Sequence, residues 1–157
     1  MRGARASDAP VLVLGYGNPG RGDDGLGPAA AEAIEQLGIP GVRTSANYQL
    51  AIEDASDAAA CASVIFVDAS LSGAAPFSDE PVAPGAGVAC FASHAVPPGV
   101  VVGLCRSVYG RSPDARVIGI RGYAFDFEEG LTERARANLE QAVAYIRSLL
   151  PSGDAHA

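Results

Sequence analysis

The sequence predicts an α/β fold in three layers, with a mostly parallel, twisted sheet of about five strands and helices on both faces. Two continuous apolar runs, Val11–Tyr16 and residues 63–68, are typical of central parallel strands that are buried on both faces. Helical patterns separate the strands, as a doubly wound topology requires. The 157 residues are predicted to form one domain, with a frayed tail over residues 152–157.

Local patterns predict each element in turn. After the first strand, apolar residues at helical spacing predict a helix over residues 26–37, which Asp23 or Asp24 is expected to cap. The later elements are, in chain order, a weaker strand over Val42–Asn47, a short helix over 49–62, the strand over 63–68, a mainly looped region over 70–87 with a short strand or hairpin near 77–82, a strand over 88–91, a helix over Pro98–Tyr109, a strand over 116–120 and a final helix that opens at Thr132.

Charge and composition exclude several classes of function. The formal charge of −7 disfavours non-specific binding to nucleic acid or to an anionic membrane. No apolar run approaches the roughly 20 residues of a membrane span, and the first residues lack the apolar region of a secretory signal. Three cysteines without a CxxC spacing are expected to be buried thiols in a reducing compartment. A cytoplasmic location is therefore expected.

A glycine-rich turn with two adjacent acids follows the first strand. Its glycines and Pro19 allow a sharp bend and a close approach of the backbone to another group. Asp23 and Asp24 then stand where a helix begins. Like charges repel, so two carboxylates disfavour a phosphate at this corner. The turn is predicted to present carboxylate oxygens to a metal or another cation.

Three candidate ligands follow strands that end at the same edge of the predicted sheet. Asp24 comes after the first strand, Asp68 ends the third, and His94 follows the strand predicted over residues 88–91. In open α/β sheets, ligands bind outside the carboxyl ends of the strands. Asp68 alone could merely cap a turn, and a lone histidine is more often structural than a ligand. Together, the three predict a site with open positions for Zn²⁺, Ni²⁺ or a similar ion.

The order of these motifs resembles one family over nearly the whole chain. Gly15-Tyr16-Gly17-Asn18, Asp23-Asp24-Gly25-Leu26-Gly27, Val67-Asp68-Ala69, Ser93-His94, Ile118-Gly119-Ile120 and Gly130-Leu131-Thr132 follow one another as in the hydrogenase maturation proteases. Members of this family are endopeptidases that trim the C-terminus of the large subunit of nickel-iron hydrogenases.

The resemblance implies an aspartyl-type or metal-dependent endopeptidase that acts after nickel insertion. Asp24, Asp68 and His94 would be the metal-binding and catalytic residues. Nickel would arrive with the substrate, a hydrogenase large-subunit precursor, and Zn²⁺ or Cd²⁺ would substitute in crystals. The first ligand in the family is often Glu, and Asp24 is one methylene shorter, so Asp23 is an alternative to Asp24 as this ligand. A monomer is expected, and residues 70–87 are expected to help form a groove for the substrate peptide.

Two other classes of function also fit parts of the sequence. The segment from Gly17 to Gly20 resembles the opening of peptidyl-tRNA hydrolase, an esterase, but that enzyme needs a basic face for tRNA and this chain is acidic. Gly15, Gly17 and Gly20 complete a Gly-x-Gly-x-x-Gly pattern, which would suit a non-enzymatic nucleotide-binding module. That module would require an acid near the end of Val42–Asn47, where none occurs.

Overall fold

A computed structural model describes residues 10–85 and 96–151 of the chain. Its strands form one sheet in the order β2-β1-β3-β5-β4, in which all neighbours are parallel except β4 and β5. The strands are β1 (Val11–Tyr16), β2 (Val42–Asn47), β3 (Ser63–Ser70), β4 (Phe77–Pro81) and β5 (Asp114–Arg121), and the helices are α1 (Leu26–Gln36), α2 (Asp54–Ala59), α3 (Pro98–Tyr109) and α4 (Glu133–Leu149).

Alternate residues of the central strands pack into two separate cores, one on each face of the sheet. On one face, Val13 and Val67 pack with side chains of α1 and α4. On the other face, Leu14 and Phe66 pack with side chains of α2 and α3. This alternation buries the apolar runs on both sides, as expected for central parallel strands. The predicted three-layer α/β fold is confirmed.

The predicted elements agree closely with the observed ones except near α2 and β3. Strand β2 and helix α3 begin and end at the residues that the sequence predicted. The helix predicted over 49–62 is limited to Asp54–Ala59, because Ala51 and Ile52 form a tight turn that leads into it. The strand predicted over 63–68 continues to Ser70 along β5. The strand predicted over 88–91 and the tail over 152–157 lie outside the described residues.

The region over 70–87 has the expected arrangement, a short strand near 77–82 within a region that is mainly loop where the structure describes it. Its strand β4 pairs antiparallel with β5, from Phe77 opposite Ile120 to Pro81 opposite Arg116. It therefore runs from the carboxyl edge of the parallel strands to their amino edge. Within this region, residues 71–76 are the described residues nearest the carboxyl edge. The expected contribution of the region to a groove stays a prediction.

Two further features of the described residues bear on the predictions. No helix within residues 10–85 and 96–151 is long and apolar enough to cross a membrane. Cys61 and Cys105 are buried free thiols, and the Cys105 thiol donates a hydrogen bond to the carbonyl oxygen of Ala55. Both were expected to be buried, whereas Cys90 lies outside the described part of the chain.

Candidate active site

The turn after β1 is a 3₁₀ segment, Pro19–Gly25, that folds back onto the end of the strand. The Asn18 side chain caps it by accepting a hydrogen bond of 2.9 Å from the amide of Gly20. Gly17 has φ of 144°, and a Cβ there would stand 2.0 Å from the carbonyl oxygen of Asp24. The glycine is thus required because the backbone of the turn lies directly against the backbone of the strand end.

Asp24 lies at the carboxyl end of β1, where the sequence predicted it. One of its carboxylate oxygens, Oδ2, accepts a hydrogen bond of 2.8 Å from the backbone amide of Asn18. This contact closes the turn and fixes the orientation of the carboxylate. Among the described residues, Asp24 makes no other hydrogen bond and no ion pair, so its second oxygen has no protein partner there.

Asp68 lies on the neighbouring strand, one residue beyond the end of the β1–β3 ladder at Gly15 opposite Val67. Its Oδ1 atom accepts a hydrogen bond of 2.8 Å from the amide of Ala69. Burial raises the pKa of Asp68 from 3.8 to about 6, and the negative charge of Asp24 raises it as well. A carboxyl group with this pKa can take up or release a proton near neutral pH, which is a property of general acids and bases.

The two carboxylates meet at the switch point of the sheet. The chain passes from β1 to β2 on one side and from β2 across to β3 on the other, so a crevice opens at the carboxyl ends of β1 and β3. The electrostatic effect of Asp24 on Asp68 shows that the two acids are close enough to repel each other. We refer to Asp24 and Asp68 as the acid pair.

Tyr16 supplies the phenol that faces this acid pair. Its hydroxyl lies near the Asp68 carboxylate and favours the charged form of Asp68, which lowers the pKa of that group. Burial and the charge of Asp68 together raise the pKa of Tyr16, so the phenol stays protonated and remains a donor. In the sequence, Tyr16 stands out only as the end of an apolar run and as part of the glycine-rich motif that follows. One feature of the sequence could have indicated a role for Tyr16 in the site: both central apolar runs, Val11–Tyr16 and 63–68, end in a residue with a polar group.

Asp23 has a different role from the helix cap that the sequence suggested. Helix α1 has Gly25 at its N-cap position and no side-chain cap, so the expectation that Asp23 or Asp24 caps it is wrong. Asp23 is fully buried at 0% exposure. Its carboxylate turns away from α1 toward the connection between β5 and α4, where it accepts all of its hydrogen bonds, from Tyr123 N, Ala124 N, Thr132 N and Thr132 Oγ1.

These hydrogen bonds determine the protonation state of Asp23. Burial alone would raise the pKa of Asp23, but the donors of Thr132, Tyr123 and Ala124 outweigh it and hold the pKa below its ordinary value. The carboxylate is therefore charged and satisfied entirely by protein donors. It has no spare oxygen for a metal, so the alternative that Asp23 replaces Asp24 as a ligand is not supported by its surroundings.

Of the three predicted ligands, only Asp24 and Asp68 lie within the described residues. His94 lies outside the described residues, and within residues 10–85 and 96–151 no group of three or more His, Cys, Asp or Glu side chains is arranged to hold a metal. The chemistry of the acid pair still suits a cation, because two neighbouring carboxylates gain from a shared positive charge.

Exposed apolar side chains flank the acid pair along the carboxyl edge. Tyr48 and Ile52 follow β2 with 74% and 61% of their surfaces exposed, and Tyr48 borders a shallow depression of about 600 Å³. On the other side, Leu71 follows β3, and Phe127 follows β5 with 85% exposure. A cleft of about 550 Å³ lies at the opposite, amino edge beside the Asp79–Arg116 ion pair, away from the acid pair.

Comparison with solved structures places this architecture among the hydrogenase maturation proteases. The [NiFe] hydrogenase maturation protease HycI from Thermococcus kodakarensis is 23% identical, with a TM-score of 0.72 over 92% of this chain and 94% of that one. The hydrogenase maturating endopeptidase HybD from E. coli is 24% identical, with a TM-score of 0.73 over 89% and 91%. A hydrogenase 2 maturation peptidase from a Thaumarchaeota archaeon is 23% identical, with a TM-score of 0.66 over 89% and 97%.

These similarities cover nearly the full length of both chains in each case. No protein-family model matches the sequence, and no curated protein matches it. At these sequence identities, between 23% and 24%, the comparisons show that the chain shares the fold of these proteins. The molecule is a doubly wound α/β domain with two carboxylates at its switch point. More particularly, it has the fold of the nickel-iron hydrogenase maturation proteases, which confirms the resemblance predicted from the sequence at the level of structure.

Proposed function

We propose that this chain is an endopeptidase that removes the C-terminal extension of a nickel-iron hydrogenase large-subunit precursor after nickel insertion. In this proposal Asp24 and Asp68, together with His94, bind the nickel that the precursor carries. The hydrogenase maturation proteases with this fold support the reaction class. Nickel is part of the substrate, so the protease needs only moderate affinity for it and must be able to release it.

The observation that carries the proposal is the electrostatic state of the acid pair. Asp24 and Asp68 repel each other, and the partly buried Asp68 has few donors to stabilise its charge. A divalent cation between them would remove the repulsion and displace the proton that Asp68 holds below about pH 6. The crevice is therefore more stable with a cation than without one. A precursor that contains nickel would bind more favourably than one that lacks it.

The surroundings of the acid pair suit a polypeptide substrate. Tyr48 and Ile52 on one side and Leu71 and Phe127 on the other expose large apolar surfaces at the carboxyl edge. Exposed apolar groups on both sides of a polar centre are typical of surfaces that bind another protein. We propose that the precursor lies along this edge so that its nickel reaches the acid pair.

The test is a processing assay with purified protein and its hydrogenase precursor, with and without nickel. Asp68→Asn and Asp24→Asn remove a charge at nearly constant shape, and His94→Ala removes one nitrogen ligand. Each is expected to lower the rate of cleavage by about 100-fold or more. The wild-type protein is expected to cleave only the nickel-loaded precursor. Equal cleavage of both precursors would contradict the proposed role of nickel, and cleavage of neither would contradict the proposed reaction.

A matched control separates the site from the loss of an acid in general. Asp114 is exposed at the start of β5, on the amino edge of the sheet, and makes no side-chain hydrogen bond or ion pair within the described residues. Asp114→Asn makes the same chemical change at the opposite edge. It is expected to leave processing at the wild-type rate. A loss of activity in this variant as large as in Asp68→Asn would show that the assay reports overall charge.

A further inference from the structure

We propose that Asp23 is a positioning residue for Asp24: its buried carboxylate fastens the turn after β1 to the connection between β5 and α4 and thereby fixes the carboxylate of Asp24 in the crevice. The inference deepens the proposed function, because Asp24 is one of the proposed nickel ligands. Asp23 itself does not touch the crevice, since both of its oxygens face protein donors.

The carboxylate of Asp23 makes the side-chain contacts that hold the turn to the β5–α4 connection. Its Oδ2 atom accepts hydrogen bonds of 2.7 Å from Tyr123 N, 3.1 Å from Ala124 N and 2.8 Å from the Thr132 hydroxyl. Its Oδ1 atom accepts one of 2.7 Å from Thr132 N. The donors belong to both ends of the β5–α4 connection, so one side chain holds that connection closed. Bonds to a charged acceptor are the stronger kind.

The backbone of the turn makes a second set of contacts with the same connection. Gly22 N donates to Glu128 O at 2.7 Å, and Asp23 N donates to Ala124 O at 2.8 Å. Gly22 has φ of 59°, and a Cβ there would lie 2.6 Å from the carbonyl oxygen of Ala124. Only glycine allows the two segments to approach this closely. The turn and the connection are thus held together on both sides of the Asp23 peptide.

Asp24 is the next residue along this fastened backbone. Its own carboxylate has one described protein contact, the bond of 2.8 Å from Asn18 N, which lies across the turn. The orientation of Asp24 therefore depends on where the peptide that joins Asp23 to Asp24 is held. If the bonds to Asp23 are lost, the turn can move away from the β5–α4 connection and the Asn18–Asp24 bond weakens. The Asn18 amide is thus a direct reporter of the position of Asp24.

The main experiment compares Asp23→Asn with Ile146→Ala by amide hydrogen exchange and by precursor processing. Ile146 is fully buried at the far end of α4, so its truncation destabilises the same core without touching the turn. The two variants are compared at conditions of equal global stability. In Asp23→Asn, protection of the Asn18 amide and the rate of processing are each expected to fall about tenfold or more. In Ile146→Ala both are expected to stay at the wild-type level.

A second pair of variants tests the inference if Asp23→Asn does not fold. Thr132→Val removes the hydroxyl that donates to Asp23 and also accepts from Ala135 N at 3.2 Å, whereas Thr132→Ser keeps a hydroxyl for both contacts. Protection of the Asn18 amide is expected to fall in the valine variant and to be restored in the serine variant. Equal protection in the two, or an Asn18 amide in Asp23→Asn that is as protected as in Ile146→Ala, would overturn the inference.

The two readouts distinguish failure of this inference from failure of the proposed function. Exchange of the Asn18 amide is measured on the isolated protein and requires no substrate. A wild-type protein that does not process the precursor would contradict the proposed function while the exchange data still decide whether Asp23 positions Asp24. Unchanged exchange in an active enzyme would contradict only the positioning role.

Discussion

Asp23 and Asp68 are carboxylates of the same domain but have opposite electrostatic environments. Asp23 is fully buried and accepts four hydrogen bonds, and its pKa is lowered. Asp68 is less buried, accepts one described hydrogen bond, from the amide of Ala69, and its pKa is raised to about 6. The extent of burial does not explain why the two pKa values shift in opposite directions, because the more buried group has the lower pKa. The difference comes from the number of hydrogen-bond donors and from the second acid beside Asp68.

The contrast distinguishes a structural carboxylate from one that suits ligand binding. A carboxylate whose charge is satisfied by backbone amides stabilises the folded protein and has no remaining capacity. A carboxylate that lacks donors and faces another acid destabilises the protein when charged, and a cation can relieve this cost. The same residue type thus stabilises the fold at Asp23 and keeps capacity for a ligand at Asp68.

The largest expected effect on stability is that of Asp23→Asn. The amide keeps one acceptor oxygen but directs its own N–H groups at backbone donors, so we expect the free energy of unfolding to fall by about 2–5 kcal/mol at pH 7. Because the folded pKa of Asp23 is lowered, its contribution is present above the ordinary carboxyl range and is lost as the pH falls through the folded pKa. Urea denaturation at pH 7 and pH 3 measures both effects. A loss of unfolding free energy in Asp23→Asn that is larger at pH 3 than at pH 7 would contradict this account of Asp23.

Asp68→Asn is expected to have the opposite effect. The folded pKa is raised from 3.8 to about 6, so the stability that this group contributes is present below pH 3.8 and is lost as the pH rises through 6. Each unit of pKa corresponds to about 1.36 kcal/mol, which predicts that the variant gains about 1–3 kcal/mol at pH 8. The gain should vanish near pH 4. Denaturation of the variant and the wild type across this range checks the prediction, and a variant less stable than wild type at pH 8 would contradict it.

A divalent cation is expected to stabilise the wild-type protein through the acid pair. With free Ni²⁺ at tenfold its dissociation constant, mass action predicts a gain of about 1.4 kcal/mol. Asp68→Asn should lose most of this gain and Asp114→Asn should keep it. Thermal unfolding with and without Ni²⁺ at pH 7.5 measures the difference. A gain of the same size in all three proteins would place the cation elsewhere.

The smallest expected effect is that of Tyr16→Phe. Removal of the hydroxyl takes away a nearby polar group that favours the charged form of Asp68, so the pKa of Asp68 should rise further, by an amount equivalent to about 1 kcal/mol or less. An NMR titration of the Asp68 carboxyl carbon in both proteins measures this change. Thr132→Ser serves as the control because it leaves the acid pair intact. A lower pKa of Asp68 in Tyr16→Phe would show that the phenol mainly buries the carboxyl.

Much of the fold and part of the site could be predicted from the sequence. The runs that form β1 and β3 have a strong apolar pattern, and the strand-end rule placed Asp24 and Asp68 at one crevice, as the structure has them. The short strand expected near 77–82 is β4, but its antiparallel pairing with β5 could not be predicted, because it joins residues about 40 positions apart in the chain. The predicted contribution of His94 stays a prediction.

By itself, the sequence determined the layered α/β architecture and the two carboxylates at its switch point, because hydrophobic periodicity and the glycines of a turn are local properties of the chain. Only the tertiary structure decided between Asp23 and Asp24. The donors that bind Asp23, from Tyr123, Ala124 and Thr132, lie about 100 residues away in the chain. Two adjacent acids look alike in the sequence because the donors that distinguish them are brought close only by the pairing of β3 with β5 and the packing of α4.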